Sequence, residues 1–394
     1  MDVPEIVITS YARTPIGSFL GNLATLSAPQ LGSIAIAASM ERSRLDPGLV
    51  EEVIMGHVLT AGAGQAPARQ AALGAGLPNS VETLTVNKVC GSGLKAVMLA
   101  AQAIQVGDAG IIVAGGQENM SNSPYYLFGM RQGAKMGHQE AVDGMIHDGL
   151  WDAYNRMHMG SCAEMCVRER NYTREQQDEY SVRSYKRALA AQDGGVFNEE
   201  IIPVEIPTRK GEPLVVTADE EPGRVNFEKI PELKPVFEKE GTITPANAST
   251  INDGAAALVV MTVARADELG IKPVARILGQ ASAAQAPEWF TTAPAKAITK
   301  VLNKTGLSLK DIDLFEINEA FAVVALAAID ELGLNIEKVN IHGGAVALGH
   351  PIGASGARIL VTLLSALQQR DMHRGIAALC IGGGEAAAVV VERI

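Results

Sequence analysis

The 394-residue chain has few aromatic and few charged residues, whereas glycine and aliphatic residues are abundant. Aromatic residues make up 4% of the sequence and charged residues 20%, against 47% hydrophobic residues and 40 glycines. The low charge and the scarcity of long polar tracts exclude a disordered chain. At roughly 150 residues per domain, the length predicts two to three domains with a sizeable core. The composition indicates a close-packed α/β protein.

Basic charge is also in deficit. The sequence has 33 Lys and Arg residues against 44 Asp and Glu residues, which gives a net charge of −11. This balance argues against a nucleic-acid-binding protein, although it leaves open a local basic pocket for an anionic ligand. No uninterrupted apolar run reaches the roughly 18 to 20 residues of a membrane span. Residues 1–5 do not resemble a signal peptide. We therefore expect a soluble cytoplasmic protein that binds neither nucleic acid nor membranes.

The four cysteines are too few for a disulfide framework in a chain of this length. Cys90, Cys162, Cys166 and Cys380 are instead expected to be reduced thiols. His158 precedes two of them at helical spacing, which would suit a metal site. A glycine near the start of that helix and the absence of a nearby fourth ligand favour buried core cysteines. No metal site is predicted.

Short β-branched segments alternate with helical segments in the first third of the chain, and the last third repeats the scheme. The predicted strands cover residues 6–8, 53–59, 83–89, 111–113, 274–277, 313–317, 338–341 and 377–381. The predicted helices cover residues 31–40, 93–106, 295–302, 319–332 and 355–367. This alternation indicates crossover connections and a mostly parallel sheet.

The two outer thirds match in order, which indicates an internal duplication of one α/β unit. For example, the segment IIVAGGQEN corresponds to LCIGGGEAA. The segment between them is rich in tyrosine, proline and charge, with a helix around residues 174–191. We predict that it is an inserted loop domain that contacts substrate. The predicted division is residues 1–118 plus 249–270 for the N-terminal half, 119–248 for the loop domain and 271–394 for the C-terminal half.

Cys90 is a candidate catalytic nucleophile. It ends a predicted strand and precedes Gly91, Ser92, Gly93 and a helix, whose N–H groups and dipole would favour a thiolate. The two glycines would let a ligand approach the backbone. The alternative interpretation is a small buried hydrophobic side chain.

The same stretch satisfies a dinucleotide-binding pattern, Gly91-x-Gly93-x-x-Ala96, with Glu118 downstream. A single match of this kind is weak evidence, and phosphate binding would leave Cys90 unexplained. An NAD-dependent enzyme is therefore the less favoured hypothesis.

Three further candidates lie in the last third of the chain. His350 lies in the turn GHPIGASG, where it is either a solvated histidine or a residue that accepts a proton from a thiol or donates to an oxyanion. Cys380 ends a strand, and the glycines 382–384 that follow it could provide an oxyanion hole. Asn318 is either the N-cap of a helix or a residue that orients a water or donates to an oxyanion.

Taken together, these segments resemble the thiolase family over essentially the whole chain. The motifs are NKVCGSG at residues 87–93, GGQENMS at 115–121, HMG at 158–160, NAST-INDGAAA at 247–257, NEAFA at 318–322, GGAVALGHPIGASG at 343–356 and LCIGGG at 379–384. The resemblance implies the thiolase fold, in which duplicated α/β halves form a five-layered αβαβα core with an inserted loop domain. It also implies a homotetramer.

The resemblance implies a reversible condensation of two acetyl-CoA molecules to acetoacetyl-CoA and CoA. Cys90 would become acetylated while His350 takes its proton, and Cys380 would then remove the α-proton of the second acetyl-CoA. His350 and Asn318, the latter through a water, would form the oxyanion hole for the enolate. The backbone N–H groups of Cys90 and Gly382 would stabilise the tetrahedral intermediate. CoA is then a substrate and product, and no cofactor or metal is implied.

By the same resemblance, further residues would contact the substrate. These are Arg224 and Ser249 on CoA, Leu150, Met159 and Phe237 along the pantetheine and acyl pocket, and His158, Ala320 and Phe321 in the site wall. The pair of His158 and Met159 resembles the short-chain, acetoacetyl-CoA-forming branch, in which the methionine fills the space of a longer acyl chain. A thiolase of broader or longer 3-ketoacyl specificity is the alternative. A non-catalytic acyl-CoA- or lipid-binding relative is disfavoured, because both thiols, the histidine and the asparagine are present.

The chain departs from the family pattern at three positions. Thr250 stands where the family usually has glycine, and Ala386 replaces the last glycine of the C-terminal motif. Ser161 and Cys162 stand where the family commonly has a small residue followed by Thr or Ser. We expect the first two departures to affect substrate preference and rate more than the class of reaction.

Overall fold

The structure is a computed structural model that describes residues 4–209 and 211–394. Residues 1–3, which belong to the segment considered above for a signal peptide, lie outside this range. The described residues contain sixteen strands: β1 (Ile6–Arg13), β2 (Gly17–Ser18), β3 (Glu52–Gly56), β4 (Glu82–Val86), β5 (Ile111–Asn119), β6 (Tyr125–Tyr126), β7 (Val142–Asp143), β8 (Trp151–Asp152), β9 (Met157–His158), β10 (Val204–Ile206), β11 (Leu214–Val216), β12 (Asn252–Thr262), β13 (Ala275–Ala284), β14 (Leu314–Ile317), β15 (Arg374–Ile381) and β16 (Glu385–Arg393).

Ten α-helices accompany these strands in the described part of the chain, with short 3-10 turns between elements. They are α1 (Ala28–Ser43), α2 (Pro67–Gly74), α3 (Ser92–Val106), α4 (Met159–Arg170), α5 (Arg174–Asp193), α6 (Val263–Leu269), α7 (Ala293–Thr305), α8 (Ala322–Leu332), α9 (Ala345–Leu348) and α10 (Ile352–Gln369). All six long helices predicted from periodicity are confirmed, with ends that differ by a few residues.

The sheet topology repeats in the two halves, as the predicted duplication requires. The N-terminal half has the strand order β4-β3-β5-β12-β1, and the C-terminal half has β14-β15-β16-β13. The strands β14, β15, β16 and β13 correspond in this order to β3, β5, β12 and β1. In both halves the first two strands of these sets pair parallel, and the following pairs are antiparallel. The halves meet where β1 pairs with β13 through Val7 with Arg276 and Ile8 with Ala275.

The expectation of a mostly parallel sheet is wrong. Only β3 with β4, β3 with β5 and β14 with β15 are parallel pairs among the described strands. The long strands β12 and β16 run antiparallel to both of their neighbours. Each half therefore combines a parallel crossover unit with antiparallel return strands, and β12 and β16 were absent from the sequence prediction.

The predicted strand over residues 338–341 is reduced to one bridge, between Val339 and Phe315. The next residue, Asn340, has a φ of +48°. Its side-chain amide accepts from the N–H of Ile317 and donates to the carbonyl of the same residue, both at 2.8 Å. The side chain thus makes the hydrogen bonds that a continued strand would make with β14.

Helices and sheets form five layers. Helices α1 and α2 cover the outer face of the N-terminal sheet, and α7 and α8 cover the outer side of the C-terminal half. Helices α3 and α10 pack on each other between the N-terminal and C-terminal parts of the sheet and contact strands of both halves. This αβαβα arrangement is the one that the resemblance implied.

Both faces of the central strands are buried, so their sequences are apolar throughout. Along β12, Leu258 and Val260 face the central helices, whereas Val259 and Met261 face α1. Each sheet therefore contributes to a central cluster and to an outer one. The central cluster surrounds α3 and α10, and it supports the residues at the N-termini of these two helices.

Glycines let α3 and α10 approach unusually closely. A Cβ at Gly93 would lie 2.7 Å from the backbone nitrogen of Ala357 and 3.1 Å from the carbonyl oxygen of Gly353. A Cβ at Gly356 would lie 2.4 Å from the backbone nitrogen of Leu94. Backbone atoms cannot move away as a flexible side chain can, so these contacts fix the distance between the two helices.

A buried ion-pair network ties the segment after α5 to the N-terminal sheet. Arg13 is fully buried on β1, and its guanidinium donates to Glu200 at 2.6 Å and to both carboxylate oxygens of Asp219 at 2.7 and 2.9 Å. A buried charge with this many partners is well compensated. The network fixes the chain between α5 and β12 over the sheet.

One stretch of the described chain, Val89–Val106, is long and apolar enough by length and composition to cross a membrane. More than half of it is buried inside the protein, and it contains α3 of the central layer. A core helix passes the same test, so the stretch is weak evidence for a span.

We expect the substitution Gly93→Val to destabilise the protein by about 2 kcal/mol, because the new side chain overpacks the contact between α3 and α10. Chemical denaturation measures the change in the free energy of unfolding. Gln105→Val is the matched control, since Gln105 is exposed on the same helix, and its cost should stay below about 0.5 kcal/mol. Equal effects of the two substitutions would contradict the packing argument.

Candidate active site

A cavity of about 220 Å³ lies where the N-termini of α3 and α10 meet the segment between β5 and β12. We call it the Cys90 cavity. It is lined by Val89, Cys90, Met120, Gly149, Leu150, His158, Met159, Phe237, Ala248, Ser249, Thr250, Ile251, Phe290, Ala320, Phe321, His350, Ile352 and Gly382. The lining is mostly apolar and combines residues from both halves of the chain.

Cys90 lies on a tight turn between β4 and α3. The preceding residue, Val89, has a φ of +47°, which is unfavourable for a β-branched side chain. The Ser92 hydroxyl holds the turn by accepting from the N–H of Lys88 at 2.8 Å and donating to the carbonyl of Val89 at 2.7 Å. The strand predicted to end at Cys90 ends earlier, and this turn exposes Cys90 to the cavity.

The two glycines beside Cys90 do not give a ligand access to the backbone, so that expectation is wrong. A Cβ at Gly91 would lie 2.4 Å from Cδ1 of Ile381, and Gly93 lies against α10 as described above. Both glycines serve the packing of α3 against the C-terminal half.

The Cys90 thiol is neutral in the free protein, contrary to the expected thiolate. Burial raises its pKa to about 11, and the charge of Glu118 adds to this effect. Hydrogen bonds from the backbone N–H groups of Gly382 and of Cys90 itself act in the opposite direction and lower the pKa. Desolvation therefore outweighs the helix N-terminus. The two N–H groups, however, point at the sulfur, beside which the carbonyl oxygen of a bound thioester would carry the negative charge after attack.

His350 is held by contacts on three sides. Its backbone N–H donates to Oδ1 of Asn252 at 2.8 Å, and the preceding Gly349 has a φ of +104° against the Asn252 amide. The ring nitrogen Nδ1 lies 2.6 Å from the Ser355 hydroxyl, which itself donates to the carbonyl of Pro351 at 2.8 Å. Since that hydroxyl proton is used, Ser355 accepts from Nδ1–H, and Nε2 is left as a proton acceptor.

The His350 imidazole is neutral as well. Burial lowers its pKa to about 3, and the positive charge of Arg358 contributes in the same direction. The alternative of a solvated turn histidine is wrong, because His350 is buried. A neutral imidazole beside a neutral thiol can accept the proton when the sulfur attacks a substrate.

Asn318 follows β14 and is buried close to His350. Its Nδ2 lies 3.5 Å from Nε2 of His350, and its Oδ1 accepts from Arg358 at 3.4 Å. The helix predicted from residue 319 begins at Ala322, with Phe321 at the N-cap position. The N-cap interpretation of Asn318 is therefore wrong, and its amide contacts His350 and Arg358 instead.

Cys380 is fully buried on β15, two residues before Gly382. It packs in an apolar cluster with Met159, Ala320 and Phe321, all of which line the Cys90 cavity. Burial raises its pKa well above the ordinary value, and a charge on Cys90 raises it further. A thiol with a high pKa gives a strongly basic thiolate once it loses its proton.

Aromatic side chains from the loop segment form one wall of the cavity. His158 is the N-cap of α4, accepts from the N–H of Gly160 at 3.1 Å and stacks on Phe237 with ring centroids 4.8 Å apart. Phe237 in turn meets Phe321 edge to face at 6.0 Å. Because His158 is an N-cap rather than a helical residue, it does not share a helix face with Cys162. Groups of His, Cys, Asp or Glu that could hold a metal are absent from the described residues.

Most residues predicted for the site line this cavity. Ten do so, namely Cys90, Leu150, His158, Met159, Phe237, Ser249, Ala320, Phe321, His350 and Gly382. Asn318 and Cys380 adjoin the cavity from the buried side. Arg224 does not line it, and its side chain is 64% exposed on a 3-10 turn. Its contact with CoA stays a prediction.

Several residues of the site were not predicted from the sequence, and Thr250 was named only as a departure from the family pattern. Asn252 and Ser355, which hold His350, lie inside the quoted motifs, but the sequence did not indicate that they contact this histidine. Thr250 lines the cavity, and its hydroxyl lies 2.9 Å from Oδ1 of Asn252. Phe290 lies on a 3-10 turn outside every motif, and nothing in its sequence context indicated the site.

Glu118 is not placed to bind a dinucleotide. Its carboxylate accepts from the backbone N–H groups of Val58, Leu59 and Gly353 at 3.1, 3.2 and 2.8 Å. It also lies 3.3 Å from Nε2 of His57. A carboxylate used in this way joins the loop after β3 to α10. This arrangement argues against the NAD hypothesis.

The sequence models of two domains, described as the N-terminal and the C-terminal domain of thiolase, match residues 6–264 and 271–393. The chain therefore belongs to the thiolase family, and the architecture above is the thiolase fold. Acetyl-CoA acetyltransferase 2 of Arabidopsis thaliana is 55% identical over 98% of this chain and 97% of its own length. The cytosolic acetyl-CoA acetyltransferase ERG10 of Gibberella zeae is 52% identical over 100% and 99%.

Solved structures agree over the same length. The acetyl-CoA acetyltransferase of Bacillus anthracis has a TM-score of 0.97 and 42% identity, and covers 100% of this chain and 99% of its own. The Acat5 thiolase of Ascaris suum, solved in complex with coenzyme A, has a TM-score of 0.94 and 46% identity, with 99% and 100% covered.

We expect the alkylation of Cys90 by iodoacetamide to accelerate about tenfold per pH unit from pH 7 to 9. The raised pKa keeps the thiol protonated over this range, so the reactive thiolate fraction grows with pH. Mass spectrometry of the labelled peptide measures the rate, with Cys90→Ser as the control for labelling elsewhere. A rate that is already level at pH 7 would show a preformed thiolate and contradict the prediction.

Proposed function

We propose that this protein is an acetyl-CoA acetyltransferase that reversibly condenses two acetyl-CoA molecules to acetoacetyl-CoA and CoA through an acetylated Cys90. The observation that carries the proposal is the convergence of Cys90, His350 and Gly382 in one cavity, with Asn318 and Cys380 adjoining it. The relatives that bear this name match the chain over nearly its whole length.

In the first half-reaction, the Cys90 sulfur attacks the carbonyl carbon of acetyl-CoA while its proton passes to Nε2 of His350. The oxyanion of the tetrahedral intermediate accepts from the N–H groups of Cys90 and Gly382, which already point at the sulfur. When the intermediate collapses, the C–S bond to CoA breaks. The departing CoA thiolate takes the proton of Cys380 and leaves as the free thiol.

In the second half-reaction, the Cys380 thiolate removes a methyl proton from a second acetyl-CoA. Such a proton is only weakly acidic, so a base of raised pKa is suited to the task. The protonated Nε2 of His350 and the Asn318 amide, acting through a water, stabilise the enolate oxygen. The enolate carbon attacks the acetyl group, the C–S bond to Cys90 breaks, and His350 returns the proton to the sulfur.

The shape of the cavity supports a short acyl chain. Its volume of about 220 Å³ must hold the end of the pantetheine arm together with the acyl group. Met159 lies beside Gly382, with its Sδ 3.4 Å from the position of a Cβ there, and Phe290 and Leu150 occupy the same walls. A thiolase of longer 3-ketoacyl specificity would need these side chains to move away.

The remaining assignments extend the same proposal. We propose that Arg224 and Ser249 contact CoA, and that residues 119–248 act as a loop domain over the site, between halves formed by residues 1–118 plus 249–270 and residues 271–394. A homotetramer and a cytoplasmic location complete the proposal. The cytosolic relative from Gibberella zeae supports that location, and the coenzyme A complex of the Ascaris thiolase supports CoA binding.

The test is the thiolysis of acetoacetyl-CoA compared with 3-ketohexanoyl-CoA and longer thioesters. We expect kcat/KM for acetoacetyl-CoA to be at least about tenfold higher, because each extra methylene must displace packed side chains. Incubation with acetyl-CoA should add one acetyl group to Cys90 by mass spectrometry, and Cys90→Ser should lose both the label and the turnover. A preference for longer chains would favour the alternative thiolase, and a label on Cys162 would overturn the assignment of the nucleophile.

We expect Cys380→Ala to keep the acetylation of Cys90, with water in place of Cys380 as the proton donor to the departing CoA thiolate. Condensation should fall by about 10³-fold or more, because the base for the α-proton is gone. The acetylated fraction is measured by mass spectrometry, and acetoacetyl-CoA formation by its absorbance. Cys166→Ala is the matched control, since Cys166 is an equally buried cysteine of the same apolar cluster and has no role in the proposed mechanism. If both half-reactions fell equally in Cys380→Ala, Cys380 would have a structural role instead.

A further inference from the structure

Arg358 is a buried arginine that is not used in the mechanism above. It lies on α10, is only 2% exposed, and its Nε and Nη1 have no hydrogen-bond partner among the described residues. Arg13, the other fully buried large cation in the core, has partners on all three nitrogens. Buried polar atoms are nearly always paired, so an arginine this poorly paired requires an explanation.

The guanidinium of Arg358 reaches two residues of the neighbouring strand. Its Nη2 donates to Oδ1 of Asn318 at 3.4 Å, and its Nη1 lies 3.8 Å from Oε2 of Glu316. The contact with Asn318 fixes which end of that amide faces the guanidinium. The donor end, Nδ2, is thereby directed toward His350 and the site.

The positive charge of Arg358 is only partly compensated. Burial raises the pKa of Glu316 to about 8, although Arg358 opposes this effect. The nearby Glu319 is occupied by donors of its own, which are Tyr180, Ser184, Asn340 and the backbone N–H of Val346. Arginine itself stays protonated in proteins. The guanidinium of Arg358 thus lies beside Asn318 and has only a long contact, of 3.8 Å, with the Glu316 carboxyl group.

We propose that Arg358 is a positioning residue for the enolate oxyanion hole: it holds the Asn318 amide with its NH₂ group toward the substrate and adds a fixed positive charge behind it. Ser355 lies one turn earlier on the same helix and orients His350. One face of α10 would thus orient both donors that stabilise the enolate. Preorganised donors of this kind need no rearrangement when the charge develops.

This inference rests on the proposed function, and it predicts an effect on one half-reaction. Arg358→Met should slow enolate formation about 10- to 100-fold. Deuterium incorporation into the methyl group of acetyl-CoA in D₂O, followed by NMR, measures that step directly. Acetylation of Cys90 should not slow, and KM for acetyl-CoA should change less than about threefold, because Arg358 does not line the cavity and its charge only lowers the pKa of the proton acceptor His350.

Double substitution tests whether Arg358 acts through Asn318. If it does, Arg358→Met added to Asn318→Ala should cause little further loss, since the amide that it orients is already absent. Arg358→Lys, which keeps the charge but loses the planar fork, should recover part of the exchange rate. Thr362→Val is the matched control, because Thr362 is a buried polar residue one turn further along α10 that bonds Glu200 instead.

Each outcome has a defined meaning. If Arg358→Met does not fold, the double variant Arg358→Met with Glu316→Gln takes its place in the comparison. The second substitution removes the Glu316 carboxyl group, which loses its contact with the guanidinium in Arg358→Met. Unchanged deuterium exchange, losses that multiply with those of Asn318→Ala, or an equal loss in Thr362→Val would each overturn the proposal. Wild-type protein without acetoacetyl-CoA turnover would instead contradict the proposed function, before any variant is compared.

Discussion

The close contact between α3 and α10 is the constraint on which the site depends. Cys90 stands at the N-terminus of the first helix and His350 at that of the second, in different halves of the chain. Glycines at 93 and 356 bring the two backbones together without side chains between them. The packing of these helices thus fixes the distance between a thiol and an imidazole that are far apart in the sequence.

Burial of the site gives its groups an unusual resting state. Desolvation raises the pKa values of Cys90 and Cys380 and lowers that of His350, so all three are neutral near pH 7. Charge develops only when a thioester is present, beside N–H groups and an amide that are already oriented. Electrostatic stabilisation is strongest in such a water-poor site, because little solvent screens it.

Local periodicity and motif spacing predicted much of the molecule. The predicted long helices and the repeated order of the halves are confirmed, because buried strands and amphipathic helices leave regular apolar patterns. The direction of the strands was wrong, since alternation of elements does not distinguish crossover units from antiparallel return strands such as β12 and β16. The prediction of a strand at 338–341 was wrong because the Asn340 side chain makes the hydrogen bonds that a strand backbone would make. Strand propensity does not indicate such side-chain bonding.

The amino-acid sequence by itself determined the family, the duplicated α/β halves and the reactive residue types, because motif order and hydrophobic period are written along the chain. Only the tertiary structure decided how these residues behave. It gave the thiol its high pKa through burial, assigned the flanking glycines to helix packing and removed Asn318 from the N-cap position. It also placed Arg358 behind that amide. These properties depend on desolvation and on contacts between distant segments, which exist only once the two halves have folded together.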